Sequence, residues 1–391
     1  MGCGCSHAKN LVDTPVACAQ RSRRASIEVP TLYDLGALLG SGTFAKTYKG
    51  KRRTDGFDVA VKVILKKHPN YKATLVEREI DIMSRIQCPR CVSLMDVIET
   101  PTAIYLVEEL CTGGELFERL IQLGHISEKD AAVIIKQVIE GIAYLHSKEI
   151  VHRDIKPENL LMMSSNSKSM QYNMVKITDF GLSSLKHQED DSMTTACGTP
   201  EYMAPEMIHC ALIKDKKRRA GQGYGEAVDI WAIGVILYIM ICGYPPFFHE
   251  NRAVMLFNIQ HGCYNFNSDE WRGISKRTKE FVSLLLTVDP KFRPTASQLL
   301  RHPYITNIKT LDTRNLNSTA KLSMYMETRR SRKALNAVRA VKRMEILVQH
   351  PSPSFKETRE ITRLQMIDRL KLIQSDINIE SDIHIGELNI M

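Results

Sequence analysis

The sequence predicts an α+β fold in two lobes, the first rich in strands and the second in helices. Three observations predict it. Alternating or β-branched segments crowd residues 33–110, and helical spacing dominates from Leu116 to Leu286. The third is composition: 43% apolar and 25% charged residues mark an ordinary folded chain and exclude a fibrous or wholly disordered one.

Residues 1–32 are small and polar without periodicity, and are expected to be a disordered arm. Leu35–Leu39 and Phe44–Gly50 read as strands flanking a glycine-containing turn, and Phe57–Leu65 as a β-branched strand. Ala73–Ile86 has helical spacing, with Leu75, Ile80, Ile82 and Met83 apolar. Val92–Ile98 and Ala103–Leu110 read as two further strands. Helices are expected over Leu116–Leu123, Ser127–Ser147, Ala227–Cys242, Arg252–Gln260 and Lys276–Leu286. Asp289–Tyr304 is expected to close the compact domain, 33–304, leaving 305–391 as a basic, partly helical tail.

The longest apolar run, around Ile230–Cys242, begins at Asp229 and falls short of the about 20 residues that span a bilayer, so a buried core helix is expected. Met1-Gly2 is not followed by a secretory apolar region, and the ten cysteines are therefore expected as reduced thiols in a cytosolic setting. Cys88-Pro89-Arg90-Cys91 has zinc-like spacing, but no second pair follows at a matching distance. The net charge of +9 lies mostly at the ends, with +2 in residues 1–32 and +5 in residues 305–391. Basic ends suit a membrane or an acidic partner, and the excess is too mild to imply nucleic acid.

Gly40-Ser41-Gly42-Thr43-Phe44-Ala45 sits between two expected strands, where glycines let backbone N–H groups approach phosphates. Val59-Ala60-Val61-Lys62 follows, and a lysine in an apolar strand needs a partner or a phosphate. Glu79, 17 residues on, could pair with it. His152-Arg153-Asp154-Ile155-Lys156-Pro157-Glu158-Asn159 comes next, then Asp179-Phe180-Gly181, then Ala204-Pro205-Glu206. One such triplet is common by chance; five motifs in this order match a phosphoryl-transfer set.

Residues 33–304 resemble a eukaryotic protein kinase domain throughout, which implies the bilobal kinase fold. Thr112-Gly113-Gly114-Glu115-Leu116-Phe117, Cys197-Gly198-Thr199-Pro200-Glu201-Tyr202, Gly243-Tyr244-Pro245-Pro246-Phe247 and Arg301-His302-Pro303 are similar to the calcium/calmodulin-dependent kinase group. Within it, Met1-Gly2-Cys3-Gly4 and Leu286-Thr287-Val288-Asp289-Pro290 resemble the protein serine kinase H family. The resemblance implies roles. Gly40, Ser41, Gly42, Thr43, Phe44, Ala45, Lys46 and Thr47 would cover ATP, and Leu39, Ala60 and Leu161 would sandwich its adenine. Lys62 would hold the α- and β-phosphates, positioned by Glu79, and Glu115 would reach the ribose or a substrate Arg. Asp154 would accept the substrate hydroxyl proton, with Lys156 marking a Ser/Thr acceptor, and Thr199 would hydrogen-bond both. Asn159 and Asp179 would hold Mg²⁺. Asp229 would brace the catalytic loop and Arg293 would pair with Glu206. Glu115, Glu118 and Glu158 would favour protein substrates with Arg upstream of the acceptor.

Three positions depart from the family pattern: Ala45 replaces a glycine, Thr47 replaces a valine that packs on adenine, and Glu108 occupies the gatekeeper position. A carboxylate there is costly unless solvated, protonated or paired, and it could compete with Glu79 for Lys62. The rival readings are a pseudokinase scaffold, opposed by the intact Lys62, Glu79, Asp154, Asn159 and Asp179, and a small-molecule kinase, opposed by the Asp179–Glu206 segment with its peptide-acceptor landmarks.

Met1-Gly2-Cys3-Gly4-Cys5-Ser6 fits an N-myristoylation pattern with Gly2 as acceptor, and Cys3 and Cys5 are either palmitoylation sites or ordinary exposed thiols. The expected location is the cytoplasmic side of membranes, with a cytosolic pool. Ser26 follows Arg23-Arg24-Ala25 as a basophilic phosphosite, and Thr195 is the expected activation-loop phosphosite, with Arg153 as its partner. Arg329–Arg343 holds seven basic residues and no acidic one. At 100° per residue, Ala334, Leu335, Val338 and Val341 share one face. Residues 329–348 therefore resemble the autoinhibitory, calmodulin-binding segment of this kinase group; the alternative is a solvated or membrane-contacting basic helix.

Overall fold

A computed structural model describes residues 24–25, 29–42, 45–185, 200–212, 224–316 and 318–331. In chain order the first lobe contains β1 (Arg24–Ala25), α1 (Val29–Leu32), β2 (Tyr33–Ser41), β3 (Ala45–Arg52), β4 (Asp58–Leu65), α2 (Ala73–Arg85), β5 (Leu94–Glu99) and β6 (Ala103–Glu109). The second holds α3 (Leu116–Leu123), α4 (Glu128–Ser147), β7 (Ile150–Val151), β8 (Leu160–Met162), β9 (Val175–Ile177), β10 (Ser184–Leu185), α5 (Pro205–Leu212) and α6 (Ala227–Cys242). α7 (Arg252–His261), α8 (Lys276–Leu285), α9 (Ala296–Leu300) and α10 (Pro303–Thr306) follow, and residues 318–331 form α11. The two-lobed α+β architecture is the one expected.

β2 to β6 form an antiparallel sheet in the order β5-β6-β4-β3-β2, with β1 added in parallel at the outer edge of β5. Alternation along β4 decides what each face does. Val59 and Val61 pack with Tyr33, Ile98 and Val107 in a small outer cluster. Ala60, Lys62 and Ile64 therefore face the other way, toward α2 and the cleft. β4 pairs with β6 so that Ala60 opposes Glu108 and Lys62 opposes Leu106, which puts Glu108 on the same face as Lys62. α2 buries Val76, Glu79, Ile82 and Met83, a single helical stripe, so Glu79 looks into the same space.

The second lobe is organised around α6, whose side chains are buried from Val228 to Cys242. Among the described residues no helix is long and apolar enough to cross a membrane. Ser127 and Asp130 cap α4 reciprocally, and Glu128 anchors its start to α8 by accepting from Ser275 Oγ at 2.7 Å and from Thr278 Oγ1.

The chain departs from its expected outline at three places. β7 to β10 and α5 were not expected; strands of two or three residues have no legible period, and their pairing is non-local. Within residues 1–32, expected as a disordered arm, 24–25 form β1 and 29–32 form α1, the outer edge of β5 offering unpaired backbone groups to β1. Nor does packing stop at Tyr304: Leu311, Leu322 and Met326 are buried, and Ser318 Oγ donates to Met240 O at 2.9 Å. At Gly243, with φ 88°, a Cβ would stand 2.5 Å from Ser318 O, so glycine lets α11 lie against the end of α6.

Candidate active site

Lys62 and the two acidic groups it meets come from three separate elements. Its Nζ lies 2.6 Å from Glu79 Oε1 and 3.4 Å from Asp179 Oδ1. Burial alone would depress the Lys62 ammonium, but Glu79, Asp179 and Glu108 outweigh it and push its pKa up. Lys62 in turn holds the Asp179 carboxyl below its ordinary range. Glu108 forms no ion pair with Lys62, so Glu79 keeps the lysine. Burial raises the Glu108 carboxyl to about 7, against the pull of Lys62.

The catalytic loop is suspended from a buried carboxylate. Asp229 accepts from His152 N at 2.9 Å and Arg153 N at 2.8 Å, and its Oδ2 lies 2.9 Å from His146 Nε2. His146 was not singled out from sequence; its place in an apolar helical run carries no signal of a partner 83 residues away. These bonds hold Arg153 at φ 69°, and Asp179 stands at φ 64°, two non-glycine residues in the left-handed region beside the same cleft. The His152 ring meets Phe180 edge-on at 5.2 Å, tying the loop to the segment that carries Asp179.

Asp154 accepts from Lys156 Nζ at 2.5 Å. Asn159 Nδ2 donates to Asp154 O at 2.8 Å and Oδ2 at 3.1 Å. Burial raises the Asp154 carboxyl despite Lys156. With its amide nitrogen committed, Asn159 has its side-chain oxygen left to act as a ligand. That oxygen and the ionised Asp179 carboxylate are the hard donors Mg²⁺ takes, so the residues fit the ion. Mg-ATP supplies the phosphoryl group to be transferred. The chain's own residues would hold phosphates at Lys62, take a hydroxyl proton at Asp154 and keep positive charge beside it at Lys156.

Gly40 and Ser41 pair with Thr47 and Lys46, and Gly42 N donates to Ala45 O at 2.8 Å. Ala60 is buried, Leu161 half-buried and Leu39 exposed; the backbones of Leu161 and Glu115 bridge. Arg293 pairs with Glu206 at 2.8 Å. Thr43, Phe44, Thr195, Thr199, Ser26, Gly2, Cys3 and Cys5 lie outside the described residues, as does all of 329–348 beyond Ser331.

α11 reaches this site. Arg329 Nη2 lies 2.8 Å from Glu158 Oε1 and Arg330 pairs with Glu118. Tyr325 Oη donates to Glu201 Oε2 at 2.6 Å and lies 3.2 Å from Tyr202 Oη. Tyr325 was not foreseen, since nothing in its local sequence distinguishes it from an ordinary helical tyrosine.

A protein kinase domain family profile matches residues 33–305. The chain is 40% identical over 317 residues to calcium/calmodulin-dependent protein kinase type 1 of Macrobrachium nipponense, covering 80% of this chain and 87% of that protein. It is 41% identical over 294 residues to the human type 1B kinase of that name, covering 75% and 81%. It is 38% identical over 304 residues to myosin light chain kinase A of Dictyostelium discoideum, covering 77% and 96%. With Lys62, Asp154, Asn159 and Asp179 gathered at one cleft, these matches mean that the chain belongs to the protein kinase family, as a Ser/Thr protein kinase of the calcium/calmodulin-dependent group.

Proposed function

We propose that this Ser/Thr kinase acts on protein substrates carrying Arg upstream of the acceptor, and that its own tail restrains it by occupying the carboxylates those arginines would use. The observation that carries the reading is the pair of contacts Arg329 to Glu158 and Arg330 to Glu118. Guanidinium–carboxylate pairs of this kind are charge-assisted and geometrically selective. A tail arginine and a substrate arginine cannot share one carboxylate, so release of α11 is the activating step. The relatives' names carry calmodulin dependence, and residues 329–348 of this chain are the proposed calmodulin-binding segment. Kinetics on a positional peptide library, with the full chain and with a chain ending at Asn317, test this reading. Truncation raises turnover of peptides with upstream Arg; equal rates for both chains would reject the restraint, and no upstream preference would reject the specificity. Calorimetry with calcium-loaded calmodulin and a 325–350 peptide tests the third element, and absence of heat would reject it.

Myristoylation at Gly2 with palmitoylation at Cys3 and Cys5 is the proposed membrane anchor, since one myristoyl chain alone binds only marginally. The Met1–Ser6 pattern supports it. Gly2→Ala should shift the protein to the soluble fraction, and a variant that stays with membranes would reject the anchor. Thr195 and Ser26 are proposed as regulatory phosphosites, a phosphate on the first being expected to pair with Arg153 and one on the second to offset the neighbouring arginines. Phosphopeptide mapping of active enzyme checks both.

A further inference from the structure

Three residues before Asp179, β9 carries Lys176, a buried lysine that the cleft chemistry above does not use. Its Nζ lies 2.6 Å from Glu109 Oε2, at the end of β6 in the first lobe. The same carboxylate oxygen accepts from Ser93 N at 3.4 Å, and Lys176 Nζ also donates to Cys91 O at 3.5 Å. An ammonium taken out of water needs such partners, and these come from the first lobe although Lys176 belongs to the second.

Register places the pair beside both ends of the cleft. In β6, Glu109 follows Glu108, which stands opposite Ala60, one wall of the expected adenine site. In the ladder of β8 with β9, Lys176 stands opposite Leu161, the other wall. Paired residues of an antiparallel ladder project to one face, so Leu161 and Lys176 rise side by side toward the first lobe. The backbone adds its own ties. Ile177 N donates to Arg90 O and Val92 N to Ile177 O, both at 2.8 Å. Gln137 of α4 accepts from Arg90 Nη1 at 2.7 Å and from Val175 N at 3.1 Å. Those bonds fasten β9 to residues 90–92; the Lys176–Glu109 pair fastens it to the strand that borders the base.

We infer that Lys176 and Glu109 are positioning residues for the nucleotide, which together fix the distance between the adenine walls, Ala60 and Leu161, and Asp179 at the metal end. Glu109 acts through β6, and Lys176 acts through the short run of β9 that leads to Asp179. A ligand confined to the base site does not sense that distance. One that spans the base site and the metal does, because misplacing one end sacrifices contacts at the other.

The test is calorimetry on the full-length protein with two probes, adenosine and Mg-ADP, alongside steady-state kinetics. Lys176→Met removes the ammonium and leaves the half-buried Glu109 to water. Lys176→Met combined with Glu109→Gln removes both charges, so no buried charge is left unpaired and the chain keeps its fold. In both variants Kd for Mg-ADP should rise at least about fivefold, while Kd for adenosine stays within about twofold. KM for Mg-ATP should rise with it, and KM for the peptide should not. If the single variant fails to fold, the double variant decides alone. Equal losses for the two probes, or no loss for Mg-ADP, would overturn the inference. A pair that serves folding alone would lower the melting temperature without separating the probes, and that result overturns it as well.

Discussion

Arg329 Nη2 lies 2.8 Å from Glu158 Oε1, joining α11 to the residue immediately before Asn159. Both side chains are largely buried, so the pair is only weakly screened by salt. Breaking a buried pair on one side costs far more than losing an exposed one. With Arg330 on Glu118 and Tyr325 on Glu201, α11 grips the catalytic loop, α3 and the Pro200–Tyr202 turn at once.

Arg329→Ala combined with Arg330→Ala should raise kcat/KM for an Arg-containing peptide by about tenfold, because two tail contacts that compete with substrate are gone. Steady-state kinetics on full-length wild type and variant check this. An unchanged value would mean that α11 is structural.

Gly243→Ala should loosen the same helix from its far end. The new Cβ would meet Ser318 O at 2.5 Å and Leu322 N at 2.9 Å, and φ 88° disfavours alanine. Hydrogen exchange in 318–331 should quicken while exchange in α4 stays slow. Uniform quickening would show instead that the whole lobe is destabilised.

Lys62→Met should abolish phosphoryl transfer. It should also lower the melting temperature, because Glu79, 2% exposed, loses its ion partner, a change that costs about 3–5 kcal/mol in other buried pairs. Asp154→Asn should reduce kcat by about 10²-fold or more, with nucleotide affinity kept, since only the base is removed. The raised Asp154 carboxyl must be ionised to act, so kcat/KM should fall on acidification at a pH above the ordinary Asp value. Calorimetry and rate measurements on the same preparations separate the three effects.

Glu108→Gln tests the gatekeeper carboxyl. Its pKa rises from 4.5 in the unfolded chain to about 7 in the native protein. Between those values the unfolded chain has released a proton that the native state keeps, so stability contributed by this group falls as pH rises. The loss is complete above about 7 and amounts to about 3 kcal/mol. Denaturant titrations should therefore find Glu108→Gln more stable than wild type at pH 8, with the gap closing toward pH 4.5. A gap independent of pH would place the effect in packing.

Much of the candidate site was legible because chemistry fixes both residue type and spacing there. A lysine in an apolar strand, an Asp–Lys–Asn loop and a further Asp 20 residues on can be found without coordinates. The helix Ala227–Cys242 was equally plain, since a run apolar on every side has only the interior to go to. His146 and Tyr325 were not legible, because a hydrogen bond across 83 or 124 residues leaves no local pattern.

The sequence by itself determined the two-lobed α+β architecture, the order of the phosphoryl-transfer motifs and the basic character of the tail. Tertiary structure alone decided that Glu79 rather than Glu108 holds Lys62, and that Arg329 and Arg330 meet Glu158 and Glu118. The reason is the same in each case. Local sequence sets which groups carry charge or a reactive atom, but a buried charge is settled by whichever partner the packing of distant elements brings within reach.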